Sequence, residues 1–140
     1  MINLKPYSAL LLAIGGFLLV TMGVYFVFVR PPLLPEDYRY IGVTSSNIQE
    51  NIPQLSVWLQ KVFWVMGGYI FTTGLLTIFI ALTAFRSRAN GVFSILVISG
   101  ISSIGFMTII NFIIASDFKW VLFSFSLLWV VALMFYKFDK

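Results

Sequence analysis

Residues 62–85 read VFWVMGGYIFTTGLLTIFIALTAF, a run with no charged side chain. Crossing the hydrocarbon core of a bilayer takes about 20 apolar residues in helical form, and this run is long enough. A helix is the expected form, because unpaired backbone N–H and C=O groups cannot face lipid. The reading of this run sets the class of the whole chain.

The same pattern recurs on both sides. Residues 7–29 (YSALLLAIGGFLLVTMGVYFVFV), 92–115 (VFSILVISGISSIGFMTIINFIIA) and 120–136 (WVLFSFSLLWVVALMFY) are three further candidate spans. The last is the shortest, and Phe118 and Phe138 extend it. Only 10% of the chain is charged, against roughly 25% in an ordinary soluble domain. With a mean hydropathy of +0.99, the solvent for most of the surface must be lipid. The links RSRANG (residues 86–91) and SDFK (residues 116–119) are short, which makes consecutive spans antiparallel neighbours. The expected fold is all-α: one transmembrane domain over residues 1–140, an up-down-up-down four-helix bundle, with short interfacial helices in the segment 30–61 between spans 1 and 2. The first apolar run exceeds the roughly 7–15 residues of a signal-peptide core, and VRPPLL follows it rather than a small-residue cleavage pattern. It is read as a retained span.

The charges set an expected orientation. Lys5, Arg86, Arg88, Lys137 and Lys140 fall on one side with Asp139; Arg30, Arg39, Lys61 and Lys119 fall on the other with Glu36, Asp37, Glu50 and Asp117. Counting Lys and Arg places both termini in the cytoplasm, in what is read as a bacterial cytoplasmic (inner) membrane. Trp58 and Trp120 are expected at the outer interface, and Phe85 and Tyr136 at the inner one. The net charge of +4 is scattered and forms no aromatic-interleaved basic patch, so a nucleic-acid partner is not expected.

Small residues recur on single helix faces. Span 1 has Ala9, Gly16 and Gly23, and span 2 has Gly67, Gly74 and Ala81, each at steps of seven. Such residues let helix backbones approach in lipid, where nothing hydrophobic drives association. Span 3 adds Gly100 and Gly105 with Ser99, Ser102 and Ser103, whereas span 4 has no Gly. Spans 1, 2 and 3 are therefore expected to hold the tight seams, with span 4 more peripheral. The seams serve packing within one chain or, alternatively, a homo-oligomer or membrane-protein partner.

Much chemistry is excluded by residue type. The chain has no Cys and no His, which removes disulfides, thiol nucleophiles, imidazole bases and thiolate or imidazole metal ligands. No phosphate loop, nucleophile elbow or zinc-protease motif is present. No metal, no cofactor and no catalytic residue is expected, and the reading is non-enzymatic. No span contains Asp, Glu, Lys or Arg, as a proton relay or ion-coupled transporter normally does. The strongest polar side chain in a span is Asn111, some four residues from the outer end of span 3. It serves either as a structural hydrogen bond or as the polar group of an outward-facing pocket, with Trp64, Tyr25 and Tyr69 as aromatic candidates at a similar depth.

The segment RPPLLPEDYRYIG (residues 30–42) stops span 1 and starts a short helix. Pro31 and Pro32 break the span, Pro35 suits a first helical position, Glu36 and Asp37 complement the helix dipole, and Gly42 suits a left-handed cap. The helix is expected to lie on the membrane or bundle top. Ser46 and Gln49 fit a capping box, and Pro53 restricts Ile52, giving an interfacial helix bent into span 2. Adjacent carboxyls on a helix do not face one another, so Glu36 and Asp37 are no catalytic pair. They are read as helix-end charges with a surface ion pair, or with Arg39 as contacts for a partner or lipid head group.

RPPLLPEDYRYIG followed by VFWVMGGYIFTTGLLT (residues 62–77) resembles small bacterial four-span inner-membrane proteins of no assigned function. The resemblance covers about half of the chain and implies architecture rather than activity. Small multidrug transporters share the span count but need a carboxylate in span 1, and tetraspan junction proteins need a Cys pair; both are missing. The expected function is an accessory or scaffold subunit that docks a partner through its outer segment. The alternative is a binder or carrier of a lipid or other apolar molecule in an outward-facing pocket. An enzyme acting on head groups through Glu36 or Asp37 ranks third.

Overall fold

The computed structural model describes residues 5–138. Asp139, Lys140 and the Lys5 side chain, all used in the charge count, lie outside what is described. The elements are α1 (Lys5–Phe28), α2 (Pro35–Ile41), α3 (Ser45–Asn51), α4 (Pro53–Ile80), α5 (Val92–Gly100), α6 (Phe106–Ile113) and α7 (Lys119–Phe138). Helix α4 ends in a π-helical turn, Ala81–Phe85, and a second, Ile101–Gly105, joins α5 to α6. No strand occurs among the described residues. Four runs are long and apolar enough to cross a membrane: Pro6–Phe28, Pro53–Phe85, Val92–Ile113 and Lys119–Phe138. Large apolar side chains such as Phe17, Phe79, Leu82 and Ile98 point outward and stay exposed, as a lipid-facing surface requires.

Span 2 starts earlier than the sequence suggests. The chain does break at Ile52 (φ −144°, ψ 62°), but Pro53 then occupies the first turn of one uninterrupted helix. Pro suits that position because its missing N–H has no intrahelical partner there anyway. A short separate helix, α3, leads through the break at Ile52 into span 2, and α2 and α3 are the two short helices between the first two spans.

Helices α1 and α4 pack backbone to backbone. A Cβ added to Gly23 would stand 2.6 Å from the Phe71 backbone nitrogen, and one added to Gly74 would stand 2.6 Å from the Gly16 carbonyl oxygen. Gly67 abuts Val27 and Phe26 just as closely, and Ala81 is fully buried. These small residues therefore meet inside one chain. Gly105 differs: its nearest neighbour is the Gly100 carbonyl at the end of α5, in its own span, so it is no interhelical contact.

The larger correction concerns span 4. Helix α7 is not peripheral but lies between α1 and the α5–α6 arm. Leu122, Trp129 and Ala132 are buried. The Trp129 indole lies against Gly100, where a Cβ would sit 2.5 Å from Nε1, and donates to the Leu96 carbonyl at 3.2 Å. Thr108 adds a donation to the Leu122 carbonyl at 3.0 Å and pairs with Ser126 at 2.8 Å. Span 4 lacks glycine because the large residue belongs to it and the small one to span 3. Interhelical polar contacts of this kind contribute about 0.6–2 kcal/mol each in membranes.

Most of the core fills the end of the bundle near the termini. Leu12, Ala81, Phe85, Leu96 and Ala132 are almost wholly buried there. Phe85 is thus buried in the bundle rather than turned outward; it stacks on Tyr136 at 4.3 Å between ring centroids, with Phe93 beyond at 5.7 Å. Arg88 donates to the Tyr136 carbonyl and lies over its ring. The opposite end, which carries α2 and α3, is built differently.

Candidate functional site

Helices α4 and α6 diverge toward the α2 end. The second and third spans touch mainly where the turn Ala81–Phe85 meets α5. Between them, over α1 and α7, lies a cavity of about 840 Å³, within the roughly 300–1,000 Å³ of small-molecule sites. Its walls are apolar: Leu19, Met22 and Phe26 of α1, Phe63, Met66 and Ile70 of α4, Met107 and Ile110 of α6, and Leu122 and Phe125 of α7. Ser102, Ser103 and Ile104 of the second π turn line it too. Ser102 and Ser103 turn their hydroxyls back to carbonyls at positions 98 and 99. Thr73 does the same to Tyr69, which removes these donors from the cavity surface.

The polar lining is gathered at one end. Arg30, Glu36, Asp37, Asn111 and Ser116 all border the cavity there. Local chemistry sets each one. Pro35 occupies the first turn of α2, and Gly42 ends it at φ 76°, with its N–H on the Tyr38 carbonyl at 3.0 Å. Asp37 reaches back to accept from the Leu34 N–H at 2.8 Å and from Arg30 Nη2 at 3.2 Å. Arg30 Nη1 donates to the Pro31 and Pro32 carbonyls. Its guanidinium lies 3.5 Å from the centroid of Phe63. Burial pushes its pKa below the usual arginine value, and Asp37 opposes that shift. Arg30, rather than merely stopping span 1, bolts α2 to the first two spans.

Glu36 faces inward and is only 2% exposed. It accepts from Ser116 Oγ at 3.0 Å. Ser116 sits in the turn before α7, where Ala115 takes a left-handed conformation at φ 52°, one that costs a non-glycine residue roughly 1–2 kcal/mol. The turn is held by the Ser116 N–H on the Asn111 carbonyl at 2.9 Å and the Phe118 N–H on Ser116 Oγ at 3.1 Å. Arg39 meets Asp117 at 2.9 Å on the surface beside it, and this pairing raises the Arg39 pKa. Two contacts thus fasten α2 across the end of the third and fourth spans.

The sequence-derived residues divide accordingly. Asn111, Tyr25 and Tyr69 line the cavity. Asn111 donates to the Met107 carbonyl of its own helix at 2.8 Å, not to another span. Trp64 lies outside the lining and packs under the Lys61 ammonium at 3.8 Å. Glu36 and Asp37, read as exposed helix-end charges, are buried and half-buried; only Arg39 of that group is exposed. Tyr40 and Ile41 are exposed as well. The cap of α3 is Thr44, which accepts from the Asn47 N–H, rather than Ser46. Ser116 and the cavity role of Arg30 were missed. The available signal was the polar turn SDF between two apolar runs, opposite the acidic turn of α2.

Among the described residues no group of three Asp, Glu, His or Cys side chains gathers to hold a metal ion. The arrangement suits an amphiphile: apolar walls for a chain or ring system, and one polar end for a head group. Comparisons with protein-family models, with curated proteins and with solved structures give no match.

Proposed function

We propose that the protein is a non-enzymatic binder or carrier of an amphiphile such as a lipid, held in the cavity with its polar end under α2. In this reading the four spans run up-down-up-down through a bacterial cytoplasmic membrane, with both termini cytoplasmic. The Lys/Arg distribution supports that orientation, and the cavity then opens in the outer leaflet. The single observation behind the reading is the polarity of the cavity: apolar walls along all four spans, and Glu36, Ser116 and Asn111 together at one end. A few convergent polar groups in an apolar pocket are the usual mark of a ligand site.

The docking alternative, an accessory subunit that meets a membrane-protein partner through the outer segment 30–61, draws support from side chains that α2 leaves exposed, among them Arg39, Tyr40 and Ile41. Glu36 and Asp37 are withdrawn from that surface, so the cavity reading has the larger share of the evidence.

Native mass spectrometry of protein purified in mild nonionic detergent tests the proposal. An amphiphile is expected to stay bound to the wild type and to be lost from Met66→Trp/Met107→Trp, which fills the cavity from two sides. Equal retention by the filled variant would reject the cavity as the site.

A further inference from the structure

We infer that the head group received under α2 is a protonated amine, with Glu36 as the residue that binds it. This inference rests on the cavity reading and adds the chemistry of the ligand.

Three groups with formal charge line the cavity: Arg30, Glu36 and Asp37. Arg30 and Asp37 satisfy one another at 3.2 Å. The remaining strong contacts of Arg30 go to the Pro31 and Pro32 carbonyls and to the Phe63 ring. Three hydrogen bonds from its terminal nitrogens are thus directed at the protein, and the formal charges of Arg30, Glu36 and Asp37 together leave the lining at −1. Arg39, the cation on α2 itself, is taken by Asp117 on the surface. That leaves Glu36, whose single protein hydrogen bond is the one from Ser116. Its second carboxyl oxygen has no partner among the described residues.

Glu36 is 2% exposed and accepts one protein hydrogen bond, so a donor or positive charge brought to its second oxygen from the cavity is favourable. Arg30 and Arg39 act on it only through space, and no basic side chain among the described residues donates a hydrogen bond to it. An ammonium would supply both, as a charge-assisted hydrogen bond. Tyr25, Tyr69 and Phe118 line the same cavity, and aromatic rings attract a desolvated cation. An anionic head would instead meet two carboxyls and a guanidinium already in use. A neutral alcohol could donate to Glu36 but would bring no positive charge to the two carboxyls.

The experiment compares three probes of one chain length, dodecylammonium, dodecanol and dodecanoate, in competition with a diazirine-bearing alkyl probe on the full chain in nonionic micelles. Dodecylammonium is expected to compete about tenfold better than dodecanol, with dodecanoate weakest. Glu36→Gln, which keeps the acceptor for Ser116, should bring ammonium and alcohol to within about twofold by removing the same interaction. Arg39→Ala should retain the full preference. Equal competition by ammonium and alcohol on the wild type would overturn the amine assignment while leaving the cavity reading intact, and so would a preference for dodecanoate. Failure of all three probes would remove both. The wild-type comparison stands even if Glu36→Gln does not fold. A further arm sets phosphatidylethanolamine against phosphatidylglycerol of the same chains. Preference for the former supports the inference with an aminophospholipid as the source; preference for the single-chain amine alone supports it with a free amine.

Discussion

Ser116 Oγ donates to Glu36 Oε1 at 3.0 Å, joining residues eighty positions apart in the chain. The contact ties the first turn of α2 to the turn before α7 and closes the polar end of the cavity. Ser116→Ala removes the one protein donor to a buried carboxyl, and leaving such a group unsatisfied costs about 1–3 kcal/mol. The same change also removes an acceptor from the Phe118 N–H. A lower unfolding midpoint in detergent is expected, together with faster proteolysis near Gly42–Thr44 as α2 comes loose. An unchanged midpoint with unchanged proteolysis would show that the contact does not hold α2.

The pair Gly67–Gly68 offers an internal control for the α1–α4 seam. A Cβ on Gly67 would stand 2.8–2.9 Å from Val27, Phe26 and the Gly23 carbonyl, whereas one on Gly68 meets nothing within 4 Å. Gly67→Ala is expected to destabilise by about 1–3 kcal/mol through overpacking. Gly68→Ala should be neutral or slightly stabilising, because it restricts the unfolded chain. Chemical denaturation of both variants in the same detergent reads the difference.

Arg30 and Arg39 flank the same short helix but differ in environment. Arg30 is buried, lies on the Phe63 ring and pairs with Asp37; the Arg39–Asp117 pair is open to solvent on both sides. Arg30→Gln should lower stability by about 1–3 kcal/mol, since a charged hydrogen bond is lost in a partly buried place. Arg39→Gln should leave the unfolding midpoint unchanged within error, as exposed pairs usually do. Thermal unfolding of the two variants side by side separates the roles.

Which features were legible in the sequence follows from how local they are. The four apolar runs, the Pro35 start and the Gly42 end of α2 depend on composition and near neighbours, so they could be read directly. The inward turn of Glu36 could not. An acid in a first helical turn gives the same string whether it faces water or a cavity, and the decision lies with Ser116, eighty residues away. The place of span 4 was hidden likewise. Absence of glycine in α7 looked peripheral, but a seam needs a small residue on one side only, and Gly100 supplies it for Trp129. The cavity itself arises because α7, not α5–α6, lies beside α1, and no single stretch of sequence records that order. Of the three aromatic residues proposed from depth, Tyr25 and Tyr69 line it; Trp64 does not, because depth fixes height along a helix but not the face.

Mapping where a bound amphiphile touches the protein tests the central claim most directly. An alkyl chain bearing a diazirine, photolysed on the full-length protein and followed by peptide mass spectrometry, labels whatever lines its site. Adducts are expected on Met22, Met66 and Met107, which face the cavity, and are expected to vanish when Met66→Trp and Met107→Trp fill it. Labelling confined to outward residues such as Phe17, Phe79 and Ile98, and unchanged in the filled variant, would contradict the account.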